Sequence, residues 1–349
     1  MKKTTFYLAC LLLVVGASAG ASDVRYRITD LSPLVDARAI NSSNQVAGYL
    51  VGDYYYPMLW NNGSVVRLQP VAIGGCAYDI NNHGLVVGGS DSRAVTWDPA
   101  GHVTYLPLQA GTRSSAATDV NEYGTAAGYF LNSENLAHAC YWQNGTFTDM
   151  GVPYGNQSVV CALNNMGAIV VESDYRLRYA YIYSQGQFAP MLTDLTNVEN
   201  SYARCINDAG MVVGFAEMWD GTQVGYQWQD GVTTVLPTPT GKDRPCPLAV
   251  NNAGVAVGSA WLWPHGESAR ACIWDGQQVS FLNDLIPADS GWTLQDANDI
   301  NDLGQIVGSG TLGGVTRAFL LTPIPEPSSV LALLSGLAGI GGMVVRRRK

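Results

Sequence analysis

One short motif recurs seven times along this chain, at intervals of 40 to 50 residues. In the last copy, "ANDINDLGQIVG", an apolar residue precedes an Asn, two further residues lead to a Gly, and a short apolar run ends in a second Gly. A repeat of this length is typical of one blade of a β-propeller. The copies share one invariant residue: Asn41, Asn81, Asn121, Asn164, Asn207, Asn251 and Asn301.

Each copy predicts four short antiparallel strands, the composition of one propeller blade. The Asn bonds its own backbone in a tight turn between the first two strands, and the Gly accepts the positive φ that such a turn requires. A fourth strand, such as "TFTDM" at 146–150, closes each unit. The third strand ends in a large residue: Trp60, Trp97, Trp142, Tyr183, Trp228, Trp274 or Leu321.

The two ends of the repeat region indicate how a ring of blades closes. The last copy stops after its third strand, "RAFLLTP", whereas the region begins with "RYRITDL" at 25–31, which resembles the fourth strand of the other units. An N-terminal strand that completes the last blade hides sheet edges that would otherwise be exposed. The sequence therefore predicts an all-β fold, a seven-bladed β-propeller closed by its N-terminal strand. An open β-solenoid is the alternative, and it would not need the split repeat.

The segments outside the repeats have their own character. Residues 1–21 begin with two lysines, an apolar run and small residues, the pattern of an export signal peptide. The stretch from Ser328 to Val345 carries no charge and is followed by four basic residues, which predicts a membrane-spanning helix with a cytoplasmic end. The predicted organisation is a signal peptide at 1–21, the propeller at 22–323 and a sorting segment with a transmembrane helix at 324–349.

The C-terminal segment resembles the PEP-CTERM sorting signal of Gram-negative bacteria. Pro325, Glu326 and Pro327 precede the apolar stretch and the basic tail, in the order that this signal requires. The resemblance implies cleavage by an exosortase-type processing enzyme, transient inner-membrane anchoring through the C-terminal helix, and delivery to the cell surface or the extracellular space. It also implies a bacterium that makes exopolysaccharide.

The repeats themselves are similar to the HAF extracellular repeats, named after a His-Ala-Phe signature. Four third strands carry related triplets, although none reads His-Ala-Phe: Arg93-Ala94-Val95, His138-Ala139-Cys140, Arg270-Ala271-Cys272 and Arg317-Ala318-Phe319. The wider pattern Ile-Asn-x-x-Gly-x-Val-x-Gly with a later Trp extends the match over nearly all of residues 25–323. The resemblance implies a surface location and a repeat architecture, but no established activity.

Charge narrows the choice of partner. Residues 22–323 carry 13 basic and 27 acidic side chains, a net charge near −14. A surface this acidic repels phosphate backbones and anionic lipids, so neither nucleic acid nor an anionic membrane surface is expected as a partner.

Three copies of the motif begin with Asp79, Asp119 or Asp299 and look like the start of a calcium loop. Such a loop also needs an oxygen ligand at its fifth position and an acidic residue near its twelfth, and these copies have neither. The four histidines lack metal-ligand spacing, and no nucleophile motif or phosphate-binding loop is present. The sequence thus predicts no metal, no cofactor and no catalytic residues. Two carboxylates from different blades could still meet across a propeller face and catalyse glycan cleavage, and this arrangement is the alternative that the sequence leaves open.

Six cysteines fall in the predicted propeller, an even number that permits disulfides in an exported protein. Cys161 and Cys205 are placed on the first strands of neighbouring blades, and they form the favoured candidate bridge. The alternative is that each cysteine is a small buried hydrophobic residue.

Aromatic residues outside the repeat pattern give the functional hypothesis. They fall in loops between the second and third strands or between blades, and both kinds of loop open on one face of a propeller. Aromatic rings with nearby carboxylates suit sugar recognition, whereas the alternative is that the rings pack under their own loops. The predicted ligand-binding residues are Trp261, Trp263, Trp219, Trp292, Tyr54, Tyr55, Asp53 and Asp220.

We therefore expect an exported, surface-directed repeat protein without enzymatic activity, which binds or structures the extracellular polysaccharide matrix. Two alternatives stay open at this point. One is a propeller glycosidase or polysaccharide lyase, which predicts a cluster of titratable groups at the central channel. The other is a surface scaffold that binds proteins.

Overall fold

The computed structural model describes residues 25–69, 74–174, 177–263 and 269–325. These residues form seven four-stranded antiparallel sheets, so the predicted all-β, seven-bladed propeller is confirmed. The strands of the first four blades are Asp36–Ile40, Gln45–Val51, Tyr55–Asn61 and Ser64–Arg67 (β2 to β5); Gly75–Ile80, Val86–Ser90, Arg93–Trp97 and Val103–Tyr105 (β6 to β9); Ser114–Val120, Ala126–Leu131, Ala137–Gln143 and Thr146–Gly151 (β10 to β13); and Gln157–Leu163, Ile169–Asp174, Arg178–Ser184 and Gln187–Pro190 (β14 to β17).

The remaining blades follow the same order, and a short 3-10 turn, Leu282–Leu285, follows blade 6. Their strands are Val198–Ile206, Val212–Met218, Gln223–Gln229 and Val232–Val235 (β18 to β21); Arg244–Val250, Val255–Trp261, Arg270–Asp275 and Gln278–Phe281 (β22 to β25); and Trp292–Ile300, Ile306–Leu312 and Val315–Pro323 (β26 to β28), with Tyr26–Asp30 as β1.

The ring closes as the split repeat predicts. Strand β1 pairs antiparallel with β28, with Tyr26 opposite Pro323 and Asp30 opposite Phe319. The last blade therefore contains the two ends of the propeller, in the order β1-β28-β27-β26. This pairing removes the free edge that β28 would otherwise present.

The large residue at the end of each third strand fixes the packing between blades. The five tryptophans at this position are buried, and so is Leu321, whereas Tyr183 is partly buried. Three of the indole N–H groups donate hydrogen bonds to carbonyl oxygens of the preceding blade, at 2.6 to 2.9 Å: Trp97 to Gln69, Trp142 to Pro107 and Trp274 to Pro237. Each ring thus fills the space between two blades and also ties them together.

The seven invariant asparagines form a closed ring of hydrogen bonds around the propeller axis. Each side-chain Nδ2 donates to the backbone carbonyl of the corresponding Asn in the next blade, at 3.0 to 3.4 Å. The last bond of the ring runs from Asn301 to the carbonyl of Asn41. Meanwhile Oδ1 accepts from the backbone of its own turn, as Asn301 does from Leu303 and Gln305. One side chain therefore shapes its turn and links two blades.

A second feature recurs in every first strand. The pairing with the second strand slips by one residue three positions before the invariant Asn, which marks a β-bulge. The repeating motif did not reveal this bulge, since its residue type varies from blade to blade. The bulge residues are Arg38, Tyr78, Thr118, Cys161, Arg204, Leu248 and Asn298.

All six cysteines of the described residues are free, so the expected bridge between Cys161 and Cys205 is not formed. The reason lies in the bulge. Cys161 is the bulge residue of its strand and lies beside Glu172, whereas Cys205 is one position further along its own strand, with its thiol 3.9 Å from the carbonyl oxygen of Val250. The two side chains therefore have different neighbours.

The predicted signal peptide and C-terminal helix lie outside the described residues. Within the part of the chain that the structure describes, no helix has the length and apolar character needed to cross a membrane.

Replacing one ring asparagine tests its contribution to stability. Asn207→Ala removes the bond to the Asn251 carbonyl, which keeps only the bond from Gly254 N–H, and leaves the partly buried N–H of Met211 without its acceptor. We expect a loss of about 2 to 4 kcal/mol in the free energy of unfolding, measured with urea. The exposed outer-strand amide Gln278→Ala is the control and should change stability by less than about 0.5 kcal/mol. Equal effects of the two variants would contradict the role of the ring.

Candidate functional site

The propeller has two chemically different faces. The turn face carries the seven Asn turns. The loop face carries the connections between second and third strands and those between blades, and the predicted ligand-binding residues belong to these connections or directly adjoin them. The centre of the turn face is lined by amides and carboxylates, whereas the loop face exposes most of the predicted aromatic rings.

Residues of blades 1 to 3 line a groove of about 520 Å³ on the loop face, which we call the tyrosine groove. Tyr54 and Tyr55, each 53% exposed, line it together with Asp53. Tyr78 and Tyr129 contribute two further rings. The structure thus brings three of the predicted residues together in one concave surface.

Neighbouring residues hold the rings of this groove in place. Tyr55 packs edge-on against Tyr49, with ring centroids 5.0 Å apart. Arg38 lies over the Tyr49 ring at 5.4 Å and forms an ion pair with Asp36 at 2.8 Å. Burial raises the pKa of Tyr78 to about 12, so its hydroxyl stays protonated and able to donate a hydrogen bond at neutral pH.

A glycine allows the chain to approach the groove closely. Gly74 has φ of +96°, and a Cβ at this position would lie 3.1 Å from the Cβ of Tyr54. Any other residue would be strained by the backbone conformation and would press on the tyrosine loop.

Blades 5 and 6 carry a second aromatic surface, which we call the tryptophan surface. Trp219 is 61% exposed and Trp263 is 64% exposed. Arg244 connects their loops, because its guanidinium lies 5.2 Å from the Trp263 ring centre and donates to the carbonyl of Gly221 at 2.9 Å. The sequence did not predict a role for Arg244, because this residue lies on a first strand and belongs to no recognisable motif.

Two other predicted residues border the tryptophan surface in supporting roles. Trp261 ends β23 opposite Arg244 and is partly buried. Asp220 accepts hydrogen bonds from the backbone and the hydroxyl of Thr222, which lower the pKa of its carboxyl group. The Asp220 carboxylate therefore stabilises the loop that carries Trp219.

Trp292 does not belong to the exposed set, so this prediction is wrong. Its side chain is only 8% exposed and packs edge-on against Phe319, with centroids 6.1 Å apart. The connection that follows blade 6 explains the difference, because Leu285 and Ile286 share a core cluster with Trp292. For this residue the alternative of packing under its own loop is the correct one.

The tyrosine groove and the tryptophan surface lie on different blades: residues of blades 1 to 3 line the groove, whereas Trp219 and Trp263 belong to blades 5 and 6. A ligand that touches both must therefore extend across the loop face.

The loop face also carries a buried charged cluster that the sequence did not predict. Glu172 on β15 is only 3% exposed, and Arg178 lies 3.4 Å from its Oε2. Burial raises the pKa of Glu172, while the positive charges of Arg204 and Arg178 oppose the shift. The nearby carboxylate and burial also raise the pKa of the Cys161 thiol. These residues come from two blades and share no sequence spacing, so sequence reasoning had no means to group them.

Three aspartates reach the axis near the turn face. Each carboxylate Oδ2 accepts a hydrogen bond from a backbone N–H of the next blade: Asp79 from Val120, Asp119 from Leu163 and Asp299 from Ile40, at 2.6 to 2.8 Å. Asp79 and Asp299, together with the Asn ring, line an axial cavity of about 260 Å³. Their observed role is to connect blades. In the described residues, no group of three or more His, Cys, Asp or Glu side chains is arranged to hold a metal ion.

Two of the axial carboxyl groups, those of Asp119 and Asp299, have raised pKa values. Burial raises the pKa of Asp299 to about 7, and the hydrogen bond from Ile40 only partly offsets this. Burial and the neighbouring Asp79 carboxylate hold the pKa of Asp119 well above its usual value. At a given pH, a larger fraction of these two carboxyl groups is therefore protonated in the folded protein than in the unfolded chain.

Comparison with known proteins identifies the fold class. No family model matches the chain, and no curated protein matches it. Among solved structures, virginiamycin B lyase from Staphylococcus aureus has a TM-score of 0.55 at 10% identity and covers 86% of this chain and 99% of its own. YCF48 bound to D1 peptide has a TM-score of 0.51 at 14% identity, and the match covers 86% of this chain and 97% of YCF48. A puromycin-hydrolyzing peptidase of Mycobacterium tuberculosis has a TM-score of 0.51 at 11% identity, and the match covers 83% of this chain and 50% of the peptidase.

These similarities place the chain among the β-propellers. At identities this low they concern the fold alone, since propellers host unrelated functions. The similar structures include a lyase, a peptidase and a protein bound to a peptide, so they favour no single activity.

The pH dependence of stability tests the state of Asp299. A carboxyl group whose pKa is raised by folding stabilises the protein fully below its unfolded value, and this contribution is lost as the pH rises through the folded value. Between pH 4 and about 7, Asp299 should therefore lower the free energy of unfolding by an amount on the order of 4 kcal/mol.

Asp299→Asn removes this titration, so its stability should fall less between pH 4 and 7 than that of the wild type. The comparison uses the slopes of urea unfolding free energy against pH, because the substitution also disturbs the bond from Ile40 at every pH. Parallel slopes for the two proteins would rule out a raised pKa at Asp299.

Proposed function

We propose that this protein is an exported, surface-directed β-propeller without enzymatic activity that binds extracellular polysaccharide through its loop face. The observation that carries the proposal is the tyrosine groove, in which Tyr54 and Tyr55 stand half-exposed beside Asp53. Exposed rings stack on the apolar side of a pyranose, and a carboxylate accepts hydrogen bonds from its hydroxyl groups.

The shape of the groove fits an extended ligand. It is open and shallow, and its lining combines rings with the small polar residues Ser90, Ser92 and Ser114. Such a surface binds one face of a chain and leaves the rest in solvent. A polysaccharide meets this requirement, because each further sugar unit can occupy a neighbouring position.

The tryptophan surface supports a second contact with the same chain. Trp219 and Trp263 expose most of their rings, and Arg244 holds the loop that carries Trp219. Weak sites on one rigid propeller add up when a polymer occupies both, since the second contact is then intramolecular. This explains how two shallow sites can retain a polymer that neither binds tightly alone.

Two alternatives differ in the observations that support them. A glycosidase or lyase is favoured by the axial aspartates, of which Asp119 and Asp299 have raised pKa values. A protein-binding scaffold is favoured by the exposed rings, since aromatic residues are also enriched at protein interfaces. The net charge near −14 of residues 22–323 favours neutral or cationic partners over acidic ones.

The location follows from the segments at the two ends. The signal-like residues 1–21 and the PEP-CTERM-like segment 324–349 support export, exosortase-type cleavage and delivery to the surface of a Gram-negative cell. In this proposal residues 22–323 form the mature propeller, and the similarity of its repeats to HAF repeats supports the extracellular location.

Loss of the aromatic rings should abolish polysaccharide retention. We expect the double variant Tyr54→Ala/Tyr55→Ala, and separately Trp219→Ala/Trp263→Ala, to reduce retention of the producing strain's exopolysaccharide at least tenfold. Apolar burial contributes about 25 cal/mol per Å², on the order of 1 kcal/mol for each ring that a sugar face covers. The measurement is a pull-down with the purified propeller, and circular dichroism reports the fold.

Tyr123→Ala is the matched control, because Tyr123 is 75% exposed but lies on the turn face. Retention that survives both double variants would refute the loop-face site. Wild-type protein that retains no polysaccharide at all would remove the proposed function and favour the protein-binding scaffold.

The sorting proposal has its own test. Expressed in a Gram-negative host with an exosortase, the full chain should yield a surface product that lacks both the first 21 residues and the basic tail, as read from its intact mass. Glu326→Ala should block the second cleavage and leave the protein in the inner membrane. A surface product that retains the basic tail would contradict this route.

A further inference from the structure

We propose that the cavity beside Glu172 on the loop face is a binding site for a neutral polyhydroxy group, the hydroxymethyl or diol end of a sugar unit. This inference rests on the proposed glycan binding and assigns it a polar subsite that the aromatic residues do not supply. The cavity measures about 90 Å³ and is lined by Ala137 of blade 3 and by Gln157, Glu172, Asp174 and Arg178 of blade 4.

An unsatisfied buried acceptor marks the site. Oε1 of Glu172 is buried and makes no hydrogen bond of normal geometry with a described residue, although the Cys161 thiol and the Ala203 N–H lie close enough to the carboxylate to offset part of the rise in its pKa that burial causes. A buried carboxylate oxygen without a donor costs free energy, so its presence needs an explanation. The ligand that relieves this cost must supply a hydrogen-bond donor inside the cavity.

The charges around Glu172 decide against an ionic ligand. Arg178 lies 3.4 Å from Glu172 Oε2 and, through its other terminal nitrogen, 3.4 Å from Asp174 Oδ2, so the cluster already holds a cation. A second cation would be repelled by Arg178 and by Arg204, which also acts on Glu172. An anion would meet the carboxylates of Glu172 and Asp174. A neutral donor remains.

A hydroxyl group matches this environment better than a group that only donates. Arg178 lines the cavity, and its guanidinium N–H groups lie beside the carboxylates of Glu172 and Asp174 at 3.4 Å. A polyhydroxy compound can donate to a carboxylate and accept from a guanidinium at the same time. Sugars are the common neutral compounds that present several such groups on one edge.

The size of the cavity limits what enters it. About 90 Å³ accommodates a hydroxymethyl group or a pair of hydroxyls, whereas a complete pyranose ring must stay outside. The loop before β14 offers that ring a neighbour. Tyr154 is exposed, packs edge-on against Tyr179 at 5.6 Å, and receives a hydrogen bond at its backbone carbonyl from Ser173, the residue next to Glu172.

The experiment measures direct binding of small sugars to the propeller. The probes are the methyl glycosides of glucose, mannose, galactose and glucuronic acid, followed by saturation-transfer NMR over a concentration series up to about 50 mM. We expect saturable binding of at least one of the three neutral glycosides. Loss of a hydrogen bond to a charged group corresponds to about a tenfold or greater weakening, which we expect for Glu172→Gln.

Two further variants keep the test decisive. Ala137→Leu fills the cavity without changing a charge, so it should weaken binding even if Glu172→Gln fails to fold. Glu217→Gln removes the same charge one blade further on, where the carboxylate binds Asn200, and it should leave the affinity unchanged.

Three results would overturn the inference: no saturable binding of any neutral glycoside, binding of the glucuronide alone, or affinity unchanged in both Glu172→Gln and Ala137→Leu. The failure of the proposed function looks different. Polysaccharide retention that depends on the tyrosine groove, together with small glycosides that bind all variants equally, would support the proposed glycan binding and contradict the proposed site at Glu172.

Discussion

The structure depends on one interaction that is repeated seven times, the hydrogen bond from an asparagine side chain to the backbone of the next asparagine. Blades of a propeller are separate sheets, and backbone pairing ends at the edge of each one. The buried tryptophans fill the space between blades, but apolar packing does not fix an angle as sharply as a hydrogen bond does. The Asn ring supplies that angle at the axis, and it closes without a gap from Asn301 to Asn41.

Once the turn face is fixed in this way, the loop face is free to vary. The same blade that presents an Asn turn at one end presents Tyr54 and Tyr55, Trp219 or Glu172 at the other. Tyr54, Tyr55 and Trp219 are exposed and lie outside the hydrophobic core clusters of the described residues. This separation of framework from loops is how one architecture can serve different ligands.

The architecture could be predicted from the sequence because its determinants are local and repeated. The Asn turn, the large third-strand residue and the split last repeat each predict a feature that the structure contains. What could not be predicted depends on contacts between distant positions. Trp292 is covered by a long connection whose path has no sequence signal. Cys161 is the bulge residue of its strand, whereas Cys205 follows the bulge of the next first strand, and the bulge has no constant residue type. Similarly, Glu172, Arg178 and Arg204 become neighbours only when two blades meet.

The closure of the last blade also dictates when this chain can fold. The pairing of Tyr26–Asp30 with Phe319–Pro323 joins residues almost 300 positions apart. Contacts of such long range form slowly, because a large loop must close before they contribute any stability. No ribosome-bound or half-translocated portion that stops before β28 can make them. The propeller is therefore completed only after synthesis of its last strand, and until then the exposed edges of its first and last blades are open to pairing with other chains.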